Sequence, residues 1–61
     1  MTTIKTNGNR SVVINNQNGN VWATLYVNAR NGIENADITS QRWTGKTMAG
    51  AIRWAAKQLS N

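Results

Sequence analysis

The chain has 61 residues, with seven Lys or Arg against two Asp or Glu, no His and no Cys, for a formal net charge of +5. A chain this short makes one domain at most, and such a domain buries only about 60% of its unfolded surface. The missing Cys and His exclude a disulfide framework, a zinc site and the Cys/His or Ser/His/Asp nucleophile arrangements, and Glu34 and Asp37 alone leave acid–base catalysis few players.

The composition therefore reads as a non-enzymatic protein with no cofactor and no metal. No apolar run approaches the roughly 18 residues of a membrane span. The opening MTTIKTNGNR has no apolar h-region of a signal peptide. The expectation is an intracellular, cytoplasmic protein, in which the sequon Asn9-Arg10-Ser11 is accidental. The positive balance points to phosphate backbones, acidic membranes or acidic proteins. A charge of +5 also lies in the range that simply keeps a small domain in solution.

Ten of the 61 residues are Asn, and three of these precede Gly, at Asn7-Gly8, Asn18-Gly19 and Asn31-Gly32. Asn and Gly both tolerate the left-handed backbone that tight hairpins require. Residues 1–9 read as a frayed lead-in or as an extension of the first strand, with Asn7-Gly8 as a loop. SVVIN, residues 11–15, is rich in β-branched side chains and marks a first strand over about 10–15. Asn18-Gly19 is the hairpin turn. VWATLYVNAR then alternates over residues 21–30. Val21, Ala23, Leu25, Val27 and Ala29 share one face, while Trp22, Thr24, Tyr26, Asn28 and Arg30 share the other, as in a half-buried strand. Asn31-Gly32 turns the chain into IENADITS, residues 33–40. Ile33 and Ile38 fall on opposite faces there, so this third strand is weak or bulged, with Ala36 and Ile38 marking its inner side.

Gly45-Lys46-Thr47 matches the tail of a phosphate-binding P-loop, but the motif needs Gly at position 40, where this chain has Ser40. A helix start fits better, with Thr44 or Thr47 as the cap and the helix over about 46–59. Met48, Ala51, Ile52, Ala55 and Leu59 recur at three- and four-residue steps, and Lys46, Arg53 and Lys57 share the opposite side. Gly50 weakens the run by about 1 kcal/mol relative to Ala. Trp54 falls beyond the apolar stripe and is expected to pack against the loop of the third strand.

These elements predict an α+β domain, β-β-β-α: a three-stranded antiparallel meander covered on one face by the C-terminal helix. The covered face is expected to carry Leu25 and Val27. One helix leaves the other face open, and that face carries the candidate binding residues. Trp22, Thr24, Tyr26, Asn28 and Arg30 lie on it, Arg10 or Ser11 joins from strand one, and Arg42 and Trp43 stand at its edge. Rings that stack on bases, with Arg and Asn that read base edges, suit nucleic acid. Trp22 and Tyr26 also fit a packing pair that shields the backbone, or a homodimer interface. Glu34 and Asp37, near the surface, work against a broad phosphate contact.

GNVWATLYV followed by WTGKTMAGAIRWAAKQL resembles, across residues 10–59, the plan of AP2-type domains and of the arm-binding domains of phage integrases. Gly19, Trp22, Thr47, Ala51, Ala55 and Ala56 are similar in type and order to the AP2 pattern. The resemblance implies a three-stranded sheet plus helix that binds DNA through the open face, with Arg10, Trp22, Tyr26 and Arg30 on the DNA side. The chain departs from the pattern at ADITSQRW and in a first strand reduced to Arg10. The alternative is a phage or mobile-element protein that binds and inhibits an acidic host protein through the same aromatic, cationic surface.

Overall fold

The computed structural model describes residues 2–29 and 36–60. Four strands precede one helix: β1 (Thr2–Asn7), β2 (Arg10–Gln17), β3 (Asn20–Val27), β4 (Asp37–Gly45) and α1 (Met48–Leu59). The strands form one antiparallel meander in the order β1-β2-β3-β4. The α+β layout of sheet and C-terminal helix is as expected. The strand count is corrected from three to four.

The added strand is the N-terminal segment. Its last residue is Asn7, and the turn is Gly8-Asn9 rather than Asn7-Gly8. Gly8 takes φ 63°, which suits a hairpin turn with Gly in the first central place. Once the chain reverses there, β1 pairs along its whole length with β2, from Thr2 opposite Asn15 to Asn7 opposite Arg10. The second hairpin matches its sequence signal. Asn18 (φ 54°) and Gly19 (φ 79°) are both left-handed, as a two-residue type I′ loop requires.

β3 ends at Val27, short of the expected residue 30. Asn28 takes φ 60° and breaks the alternation. Its side-chain amide donates to the Asp37 carboxylate at 2.8 Å, and the next residue, Ala29, is tied by its N–H to the Asn9 carbonyl at 2.8 Å. The Asn31-Gly32 turn, Arg30 and residues 33–35 lie outside the described residues. β4 runs on to Gly45, well past the expected residue 40. The sequence leaves a weak or a bulged strand open, and the register breaks just past Ile38: Thr24 lies opposite Arg42 but Tyr26 opposite Ile38, so two steps on β3 face four on β4. Thr39 fills the break in the ladder. Its hydroxyl donates to the Leu25 carbonyl at 2.8 Å and accepts from the Gln41 N–H at 3.1 Å.

The helix covers the face that carries Val21, Ala23 and Leu25. These pack with Val12, Ile14, Ala51, Ala55 and Leu59, and Trp43, Met48 and Trp54 close the sides. Ala51 and Ala55 let the helix axis approach the sheet closely. Ile52, expected in the buried stripe, is 42% exposed. Val27 is only half-buried.

Both ends of α1 are capped by side chains. At the N-terminus, Thr47 accepts a hydrogen bond from the Gly50 N–H at 3.2 Å, so Gly45-Lys46-Thr47 is a helix start. At the C-terminus, carbonyls without an intrahelical partner meet donors: Ser60 on Lys57, Arg10 on Gln58 at 3.1 Å, and Asn7 on Leu59. Arg10 also brings a positive charge to the negative end of the helix dipole.

Candidate functional site

Residues directly opposite each other in an antiparallel pair share a face, so the registers define the open side. Three rows cross the sheet. Thr2, Asn15, Trp22 and Thr44 form the first; Ile4, Val13, Thr24 and Arg42 the second; Thr6, Ser11, Tyr26 and Ile38 the third. At about 4.8 Å between strands and about 3.3 Å per residue, the rows span about 14 Å across the sheet and about 13 Å along β3.

Apolar side chains are spread across this face, from Ile4 on β1 to Ile38 on β4. Ile4 is 48% exposed, Trp22 37% and Ile38 58%, and Val13 and Tyr26 are half-buried between them. Polar groups stand in every row: the Thr2 hydroxyl donates to Asn15 Oδ1 at 2.9 Å in the first, Thr24 and Arg42 lie in the second, and the Thr6 and Ser11 hydroxyls are 3.1 Å apart in the third. Arg42 is the one cation within these three rows; Lys46 joins the same side beyond the first row, where its ammonium donates to Asn20 Oδ1 at 2.7 Å. Arg42 is exposed and makes no hydrogen bond or ion pair with a described residue. No carboxylate stands among the twelve described positions of the three rows.

Of the expected site residues, Trp22, Thr24, Tyr26 and Arg42 come together here. Arg10 does not: it points to the helix side, where it bonds to the Gln58 carbonyl. Asn28 leaves the face because its backbone is left-handed. Trp43 lies opposite Ala23 on the helix side and packs against the core. Arg30 lies outside the described residues. Ile38, expected on the inner side, is corrected to the open face, opposite Tyr26.

Sequence reasoning missed Ile4 and Val13. For Val13 a signal was present: it lies two places from Ser11 in the β-branched run SVVIN and so shares that residue's face. The indole of Trp43 shows a second unforeseen feature. A Cβ on Gly45 would lie 2.5 Å from Trp43 Cη2, and one on Gly50 would lie 2.7 Å from Trp43 Cζ2. The ring edge therefore sits in a notch that two glycines create.

No three of His, Cys, Asp and Glu lie together among the described residues in a way that could hold a metal ion. No helix among them is long and apolar enough to cross a membrane. No family model, curated protein or solved structure matches the chain.

Proposed function

We propose that this chain is a non-catalytic binding module whose uncovered sheet face docks an acidic protein partner. The observation that carries the reading is the composition of that face: Ile4, Val13, Trp22, Tyr26 and Ile38 spread across it, Arg42 at its β4 edge, and no carboxylate among the twelve described positions of its three rows. Trp, Tyr and Arg dominate binding energy at protein interfaces, where a few buried anchors carry most of the affinity. Arg42, exposed at the β4 edge and without a partner among the described residues, is placed to meet a carboxylate beside the Trp22 and Tyr26 rings. A standard interface takes about 800 Å² from each partner. That is about one fifth of the 4124 Å² surface, so the partner has to cover most of the sheet face.

The net charge of +5 favours a second reading, in which the same face binds DNA. The geometry supports this less. Two described cations, Arg42 and a Lys46 already bonded to Asn20, are few for tracking phosphates, and side chains spread over about 14 Å exceed the roughly 12 Å width of the major groove. Self-association through the face is a third outcome.

Affinity capture from lysate with and without nuclease treatment, with wild-type and Trp22→Ala protein side by side, followed by titration of the purified partner, tests the proposal. The expected result is an acidic partner that loses about tenfold or more in affinity with Trp22→Ala, corresponding to more than about 1 kcal/mol for an anchor residue. Equal binding by both proteins overturns it. Capture that vanishes with nuclease moves the face to nucleic acid. A solution mass of twice 6.7 kDa moves it to a homodimer.

A further inference from the structure

A second groove lies on the other side of the sheet, along the β4 flank of α1. Trp43, Thr47, Gly50, Arg53, Trp54 and Lys57 line it, around a volume of about 600 Å³. Helical periodicity assembles one wall: positions 50, 53, 54 and 57 are three and four apart and share a stripe. β4 supplies the other wall through Trp43, whose side chain lies on the helix side of the sheet.

Two properties of this groove bear on a ligand. Trp43 and Trp54 are half-buried and pack against the core, so their rings are held in place while still lining open space. Arg53 and Lys57 are exposed and make no hydrogen bond or ion pair with a described residue. They stand four residues apart, about 6 Å along the helix axis. No carboxylate among the described residues lines the groove, so no described group there neutralises the two charges.

We propose that this groove binds a short single-stranded nucleic acid, with bases against Trp43 and Trp54 and phosphates against Arg53 and Lys57. Stacking on aromatic rings beside a cationic track is how proteins hold single strands without reading their sequence. A duplex does not suit the groove, because paired, stacked bases hide the flat faces that the indoles need. An acidic peptide offers charge to Arg53 and Lys57 but no flat faces to the rings. The groove is separate from the sheet face, since Trp22 and Arg42 lie on the opposite side of the sheet.

The test is titration of the full chain with an oligothymidylate at low salt, followed by NMR on the three indole N–H signals. The Trp43 and Trp54 signals are expected to move while the Trp22 signal stays. Arg53→Ala/Lys57→Ala, at two exposed positions where Ala favours a helix, is expected to weaken binding by about tenfold or more. It should also flatten the log–log salt slope by about 1.4, at about 0.7 per phosphate contact on a single strand. Three results overturn the proposal: unmoved Trp43 and Trp54 signals, undiminished binding by the double variant, or equal competition by oligoglutamate. A shift confined to Trp22 would assign the strand to the sheet face and also overturn it.

Discussion

Gly50→Ala sets two physical effects against each other. Helix propensity alone says that Ala at this third residue of α1 stabilises by up to about 1 kcal/mol. The tertiary structure says otherwise. The new Cβ would stand 2.7 Å from Trp43 Cζ2, 3.0 Å from Cη2 and 3.1 Å from the Thr47 hydroxyl, where carbon atoms prefer about 3.5–4.0 Å. The ring has to retreat by about 1 Å, and Gly45 bounds the same ring edge at 2.5 Å from its own missing Cβ. Leaving the notch costs the indole its contacts with the core. Overpacking of this kind costs about 1–3 kcal/mol, so the variant is expected to be destabilised by up to about 2 kcal/mol after the propensity gain. In a Trp43→Val background the clash with the ring is gone and only the Thr47 contact at 3.1 Å remains, so the same substitution should stabilise by up to about 1 kcal/mol. Thermal unfolding followed by circular dichroism reads both, because each kcal/mol moves Tm by about 4–8 °C in a domain of this size. A Tm raised equally by Gly50→Ala in both backgrounds would refute the notch.

The other predictions concern the caps and the core. Thr47→Ala removes the acceptor for the Gly50 N–H and should cost about 1 kcal/mol in urea unfolding. Arg10→Ala removes the donor on the Gln58 carbonyl and the charge at the helix C-terminus. It should cost about 1–2 kcal/mol, with Lys restoring part of the charge term. Ile14, fully buried, should lose about 2–5 kcal/mol on truncation to Ala, enough to leave much of so small a domain unfolded at room temperature by the same assay. Trp22→Ala, by contrast, should retain the native circular dichroism spectrum, since the ring is 37% exposed on the side away from the helix.

The sequence made the central strand and the helix plain because each has one strong period. Val21, Ala23 and Leu25 fall every second place, and Ala51, Ala55 and Leu59 repeat at helical steps. β1 was obscured because Thr2–Asn7 carries a single large apolar residue, Ile4, and that residue points to the open side. An edge strand with its outward face half polar has no hydrophobic run to announce it. β4 was misplaced for a different reason. Two extra residues opposite Leu25 interrupt its register, and Thr39 repairs the break with hydrogen bonds that no periodicity encodes. Arg10 shows the limit for site residues. Its neighbour Ser11 does lie on the open face, in the row with Tyr26. The choice between two adjacent positions rests on register, and that was fixed only once the Gly8-Asn9 turn and the full length of β2 were known. The glycine notch for Trp43 depends on residues from β4 and α1 meeting in space, so composition gave no sign of it.

The account rests on α1 covering Val21, Ala23 and Leu25 while Trp22 stays open on the far side of the sheet. Nuclear Overhauser contacts from the methyls of Ala51 and Ala55 test this most directly. The account predicts contacts to Val12, Ile14 and Ala23, and none to the Trp22 indole. Contacts from either Ala methyl to the Trp22 ring would place that ring beneath the helix and contradict both the fold orientation and the docking face built on it.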